Sequence, residues 1–244
     1  MKNATKIVLA VNLLLMAAVF TGNYFFLTVG GSDIKALTSG GFVLMGLVNL
    51  IFAVAVKGRQ VKYVATLAVG LTLACLGDIL IGPSFVIGAA LFALGHVCFF
   101  LAYCVLDRVR PLDLAIGGGI FAAAGSFVLF APILHFSEGY MQIVCLVYAL
   151  IISLMVGKAV GNLVRTRSLV TVLVLAGSIL FFFSDLMLVF DWFADAGRIS
   201  GLLCMGTYYP AECRLAISGR AAISGMAAIS GMAAVSGMAA VGKD

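Results

Sequence analysis

The sequence predicts an all-α, polytopic membrane protein, a bundle of eight transmembrane helices joined by short loops. Hydrophobic residues make up 64% of the 244 positions and charged residues only 10%. A soluble domain usually carries about 25% charged residues. The mean hydropathy is +1.21. Eight apolar runs are long enough to cross a bilayer core, which needs roughly 20 residues per helix.

The apolar runs follow one another from the N-terminus with brief polar breaks. The first run follows a basic start, as in a signal peptide, but because other runs follow directly we expect it to be retained. The short breaks predict that neighbouring helices are antiparallel. Glycine, proline and charged residues mark them, at Gly30–Asp33, Lys57–Arg59, Gly82–Ser84 and Arg110–Pro111. The predicted spans are 5–26, 36–56, 62–82, 85–106, 112–134, 139–160, 169–193 and 198–217.

A repeated hexad follows the last predicted span. ISGRAA, ISGMAA, ISGMAA and VSGMAA recur with a period of six, which does not match the helical period of about 3.6. We therefore predict a transmembrane domain over 1–217 and a low-complexity tail over 218–244, to which we assign no chemistry. A ninth membrane segment is the alternative interpretation of the tail.

The basic residues predict an orientation. With the N-terminus in the cytoplasm, 13 of the 15 Lys and Arg residues fall on the cytoplasmic side. The other side holds only Lys35 and Arg198, either of which could meet a lipid phosphate or simply lie at the interface. This asymmetry is the positive-inside pattern and predicts a multi-pass protein with both termini cytoplasmic.

Several functions are disfavoured by composition and motif. The net charge of +5 comes from basic residues scattered between apolar runs, which argues against a nucleic-acid partner. The six cysteines form no CxxC pair, and the two histidines, His96 and His135, cannot alone supply a three-histidine zinc site. No GxSxG or GxxxxGK[ST] motif is present. We expect no metal and no cofactor, and the oligomeric state stays open.

Two aspartates in predicted helices are the first candidates for chemistry. Asp78 lies in LACLGDILIG on the third span and Asp185 in LFFFSDLMLVFDWF on the seventh. A carboxylate near the bilayer centre costs about 2.5–3.5 kcal/mol on insertion scales, so such residues usually have a function. Each follows its helix start by about 16 residues, and at about 1.5 Å per residue both carboxylates should lie at a similar depth.

Other polar residues on the predicted helices could complete a site. His96 lies near the middle of the fourth span. If the bundle turns the aspartates, His96, Tyr148 and Tyr208 inward, they form one polar pocket in an apolar shell. The alternative is structural, since an intramembrane Asp can pair with a His or Tyr to set helix packing. Further polar residues of the same helices are Tyr103, Tyr209 and Glu212.

At these residues the chain resembles the YhhN-like family, the lysoplasmalogenases. The resemblance covers about residues 30 to 217 and departs in Ala36, where the family usually has Pro, in Asp191, where it often has Asn, and in Glu212, where it often has Gln. The matching pieces are Lys35 with Leu37-Thr38, Leu76-Gly77-Asp78-Ile79-Leu80, Leu94-Gly95-His96, Tyr148, Phe183-Ser184-Asp185-Leu186 and Thr207-Tyr208-Tyr209.

The resemblance implies a membrane hydrolase that cleaves the vinyl ether bond of a lysophospholipid to a fatty aldehyde and a glycerophospho-base. Asp78 and Asp185 would be the catalytic acids, one protonated and one ionised, by analogy with the carboxyl pair of glycosidases. His96, Tyr148, Tyr208 and Lys35 would support them or bind substrate. Two alternatives remain from the residues alone, a proton-coupled transporter and a non-catalytic lipid-binding protein.

Overall fold

The computed structural model describes residues 2–58, 60–194 and 196–241, and the side chains of residues 3–225 within those ranges. The predicted all-α architecture is confirmed. The described residues form eight helices in chain order: α1 Lys2–Val29, α2 Ser32–Ala55, α3 Val61–Leu80, α4 Phe85–Leu106, α5 Pro111–Phe130, α6 Gly139–Arg165, α7 Leu169–Phe193 and α8 Gly197–Val241.

Seven of the eight helices in the described residues, α1 to α7, are long and apolar enough to cross a membrane. The eighth falls outside that set, since its first half carries Glu212, Arg214 and two tyrosines. Helix α8 nevertheless lies inside the bundle, where it packs against α1, α2, α3 and α7. A helix surrounded by other helices can be more polar than one that faces lipid.

Local sequence signals explain where the helices begin and end. Gly30 and Gly31 have positive φ angles of 80° and 104°, which side-chain-bearing residues rarely adopt, and they separate α1 from α2. Pro111 occupies the first turn of α5, where backbone N–H groups have no acceptor within the helix, so a residue without an N–H is tolerated. Ser168 caps α7 in a reciprocal capping box with Thr171.

Most helices form a continuous bundle, and α5 lies at its edge. Consecutive helices from α1 to α4 pack in order, α6 packs between α4 and α7, and α8 completes the bundle against α7 and α1. Among the described helices, only α6 approaches α5 closely along its backbone. The approach is possible because Gly157 faces Gly117, where an added Cβ on Gly157 would lie 2.5 Å from the Gly117 nitrogen.

The bundle exposes many large apolar side chains and buries several polar ones within its apolar core. Leu37 and Leu14 are 81% and 71% exposed, as expected for residues that face lipid. Asn12 of α1 and Asn49 of α2 are fully buried and exchange amide hydrogen bonds of 2.9 and 3.0 Å. The Asn49 amide also donates to the carbonyl of Ala216 in α8, so these two side chains hold three helices together.

Helix α8 continues without a break past Ile217, where we predict the membrane domain to end. The Ser218 hydroxyl pairs with the Tyr63 hydroxyl of α3 at 2.6 Å, and Ala222 and Ile223 are buried. The boundary at 217 stays a prediction, but the first part of the predicted tail packs against the bundle. The end of the tail, residues 242–244, lies outside the described residues.

An ion cluster joins α5 to α6 at one end of the bundle; we call Asp107, Asp113, Lys158 and Arg165 the α5–α6 ion cluster. Asp113 is 1% exposed and accepts Arg165 Nη1 at 2.6 Å and Nη2 at 3.0 Å. The fully buried Lys158 Nζ lies 3.2 Å from Asp113 Oδ2, and Arg165 Nε also donates to Asp107. Two acids and two bases thus compensate one another, which a buried charge requires.

Arg165→Gln should destabilise the protein because it leaves both aspartates of the cluster with fewer charged donors. We expect a loss of about 1.5–3 kcal/mol in the free energy of unfolding, the range for hydrogen bonds to charged groups. Thermal unfolding in detergent measures it. Arg167→Gln, two residues on and exposed, is the matched control. Equal melting temperatures for the two variants would contradict a stabilising role for the cluster.

Candidate intramembrane active site

The first candidate carboxylate, Asp78, lies in a cluster that joins three helices; we call Asp78, Lys35, Ser39 and Tyr209 the Asp78 cluster. Lys35 Nζ forms an ion pair with Asp78 Oδ1 at 2.9 Å and donates to the Asp78 backbone carbonyl at 2.8 Å. The Ser39 and Tyr209 hydroxyls donate to Asp78 Oδ2 at 2.5 and 3.2 Å. The buried carboxyl thus has a lysine ammonium beside one oxygen and two hydroxyl donors on the other.

Helix geometry brings the donors of this cluster together. Lys35 and Ser39 are four residues apart on α2 and therefore share a face. Gly77 allows α4 to approach α3 beside Asp78, since an added Cβ there would lie 3.0 Å from the Phe92 ring. Tyr209 reaches the cluster from α8, which packs against both α2 and α3.

The second carboxylate, Asp185, has different partners; we call Asp185, His96 and Tyr148 the Asp185 cluster. The Tyr148 hydroxyl donates to Asp185 Oδ2 at 2.7 Å, and His96 Nε2 lies 3.1 Å from the same oxygen. His96 Nε2 and the Tyr148 hydroxyl are 2.7 Å apart. The cluster joins α4, α6 and α7 in a three-way contact through which a proton can pass between carboxyl, imidazole and phenol.

An aromatic layer lies between the two clusters. Tyr208 packs edge-on against Phe92 and Phe181, with ring centroids 5.8 and 5.4 Å apart, and against Tyr209 at 5.0 Å. Phe181 in turn lies 4.5 Å from the His96 ring. The Tyr208 hydroxyl donates to the Ala74 carbonyl at 3.2 Å. Tyr208 therefore connects the two clusters through ring contacts. Its hydroxyl is hydrogen-bonded to the backbone of α3 and contacts neither carboxyl.

A cavity of about 400 Å³ adjoins the Asp185 cluster. Helices α4, α5, α6 and α7 contribute its wall, which is apolar apart from Asp185 and Tyr148. The side chain of Asp185 is 9% exposed, whereas that of Asp78 is 0% exposed. Asp185 is thus the candidate carboxyl that a molecule in this cavity can touch.

The structure brings the candidate residues together in two groups rather than in the single pocket that the sequence suggests. Asp185, His96 and Tyr148 form one group, and Asp78 and Lys35 belong to the other. Arg198, the other outer basic residue, is exposed and donates to the Leu27 carbonyl at 3.5 Å.

Ser39 joins the site without being predicted from the sequence, and Tyr209, noted there as a further polar residue, joins it as well. The four-residue spacing from Lys35 is a signal that could have identified Ser39. Tyr209 differs from the candidate Tyr208 by one position, or about 100° around the helix, and only the packing of α8 selects between them.

A third carboxyl, Glu212, is fully buried in α8 close in sequence to the two tyrosines. Within the part of the chain that the structure describes, neither of its carboxyl oxygens has a hydrogen-bond partner. Its surroundings therefore differ from those of both aspartates, and it takes part in neither cluster.

The fold and the site together define a multi-pass helical membrane protein with two buried carboxyl clusters and an apolar cavity against one of them. The chain belongs to the YhhN family, whose model matches residues 38–219. The resemblance seen in the sequence is therefore confirmed. Both clusters lie within the matched range except Lys35, which precedes it by three residues.

The chain is also similar to a curated mammalian protein. It is 30% identical over 177 residues to lysoplasmalogenase TMEM86B of Rattus norvegicus. The aligned region covers 72% of this chain and 69% of the rat protein. No solved structure matches the chain.

Lys35→Met should destabilise the protein because it leaves the Asp78 carboxylate buried without its cation. Breaking a buried ion pair in this way costs about 3–5 kcal/mol. Adding Asp78→Asn to Lys35→Met should recover part of that loss, since the uncompensated charge is then gone. Thermal unfolding of the single and double variants, with Lys62→Met on the exposed Lys62 as control, measures the coupling. Strictly additive effects would contradict a stabilising pair.

Proposed function

We propose that this protein is a lysoplasmalogenase, which hydrolyses the vinyl ether bond of a lysoplasmalogen within the membrane. The observation that carries the proposal is the apolar cavity of about 400 Å³ whose polar wall residues are Asp185 and Tyr148. A cavity of this kind suits an aliphatic chain with one reactive polar group beside it. The rat relative named lysoplasmalogenase supports the same reaction.

The chemistry of a vinyl ether requires an acid. A proton must be added to the alkene carbon remote from oxygen, which leaves an oxocarbenium ion at the carbon that carries the oxygen. Water then adds to that carbon, and the resulting hemiacetal separates into a fatty aldehyde and the glycerol hydroxyl. A carboxyl that donates the first proton can accept one from the attacking water, so it ends the cycle as it began.

We assign the proton donor to Asp185 because its side chain reaches the cavity. Tyr148 and His96 contact the same carboxyl oxygen, so they can orient it and exchange protons with it. We assign Asp78 the role of the ionised carboxylate, since Lys35 forms an ion pair with it and two hydroxyls donate to it. Its negative charge, behind the Tyr208 layer, would stabilise the positive charge that develops on the substrate.

The direct test is purified protein with lysoplasmenylethanolamine and detection of the fatty aldehyde by mass spectrometry. A saturated lysolipid with the same head group is the control and should give no aldehyde. In D₂O the aldehyde should carry one deuterium on the carbon beside the carbonyl, because that carbon receives the proton. Substrate that crosses a liposome membrane unchanged would instead favour the transporter, and binding without turnover would favour the lipid-binding alternative.

Asp185→Asn and Asp78→Asn should each reduce aldehyde release by about 100-fold or more, within the range that general acid–base groups contribute. Asp191→Asn is the matched control, since Asp191 is an exposed aspartate on the same helix as Asp185. Expression and melting temperature of each variant show that it is folded. Full activity in either cluster variant would contradict the two-carboxylate mechanism.

Tyr148→Phe should lower the rate of aldehyde release by about tenfold or more, because it removes the hydroxyl that contacts both Asp185 and His96. The same change at Tyr140, which lies on the same helix and is 52% exposed, should leave the rate unchanged. Measured kcat and KM show whether the change affects turnover or substrate binding. The melting temperature is measured as well, because a purely structural loss at Tyr148 would lower it. An unchanged kcat would remove Tyr148 from the proposed site.

A further inference from the structure

The cavity wall that α5 contributes combines large and small side chains in a pattern. Ile120, Ala123, Ala124 and Phe127 line the cavity, and their spacing of three and four residues places them on one face of α5. Large residues therefore stand at both ends of this face, with two alanines between them. Ala149 of α6 also lines the cavity, so both α5 and α6 contribute small side chains to the wall.

The volume of the cavity fits one aliphatic chain. Ligand pockets span roughly 300–1,000 Å³, so a cavity of about 400 Å³ is a small one. The apolar wall, interrupted only by Asp185 and Tyr148, excludes a polar head group from most of the space.

The cavity lies beside the helix that is least tied to the others. Helix α5 approaches α6 closely along its backbone, and it meets α7 through side chains, with the Phe127 and Phe190 rings 5.6 Å apart. A chain can therefore enter from the bilayer between α5 and α7 without parting any backbone contact of the bundle.

We propose that Ala123 and Ala124 determine which lipids the site accepts, because they set the room for a single straight chain of limited length. The occupant is a lipid with one aliphatic chain. This inference rests on the proposed function, since it places that substrate's chain against α5 with its reactive bond at Asp185. Each methylene-sized group added to the alanine positions removes about the space of one methylene of the substrate.

Ala124→Leu adds three heavy atoms to the wall and should shorten the longest chain turned over efficiently by about three carbons. Phe127→Ala should act in the opposite direction and extend the range to longer chains. Ala122→Leu is the matched control, since Ala122 directly precedes Ala123 on the same helix and is absent from the cavity wall. The rate of aldehyde release is measured for lysoplasmalogens with chains of 12 to 20 carbons (about the range of membrane lipids).

A binding measurement separates this inference from the reaction itself. Saturated lysophosphatidylcholines of the same chain lengths, carrying a photoreactive group at the chain end, are cross-linked to the protein and the labelled peptides are identified. A shift of labelling toward shorter chains in Ala124→Leu but not in Ala122→Leu supports the inference, even if no aldehyde is ever released. An unchanged chain-length profile in both Ala124→Leu and Phe127→Ala overturns it, even if the protein is a hydrolase.

Discussion

The architecture depends on one constraint, that an ionised group inside a membrane bundle needs a compensating partner at hydrogen-bond distance. Asp78 meets it with Lys35, and Asp113 meets it with Lys158 and Arg165. Each pairing joins different helices, so satisfying the charge also sets where those helices lie. Helices α2 and α3 are joined on one side of the bundle, and α5 is joined to α6 on another.

Asp185 differs from Asp78 and Asp113 in its partners, and this difference supports separate roles for Asp185 and Asp78. Its described partners are an imidazole and a phenol, each of which can donate or accept a hydrogen bond, whereas Asp78 has a lysine ammonium beside it. Its side chain also touches open space, whereas that of Asp78 is fully covered. This contrast supports the proposal that Asp78 holds a fixed charge and that Asp185 exchanges a proton with the substrate.

The sequence predicts the helices well because apolar runs and the cost of a buried carboxylate act on single segments. The two aspartates and His96 stand out for that reason. Contacts between side chains of different helices cannot be predicted in this way, because they depend on how the helices pack. Whether Lys35 meets a carboxylate or a lipid phosphate depends on how α2 sits against α3. The α5–α6 ion cluster is likewise not predicted from the sequence, where Lys158 counts only as one of the cytoplasmic basic residues, because the fold alone brings Asp113 and Arg165 beside it.

The marginal attachment of α5 has a consequence for where the protein works. Among the described helices only α6 packs along its backbone, and α5 also exposes apolar side chains such as Leu129 and Phe130, which suit contact with the surrounding lipid. The lateral pressure of that lipid therefore acts directly on one wall of the cavity. Bilayers with different thickness or chain saturation would press on that wall differently, so the host membrane becomes part of what shapes the site.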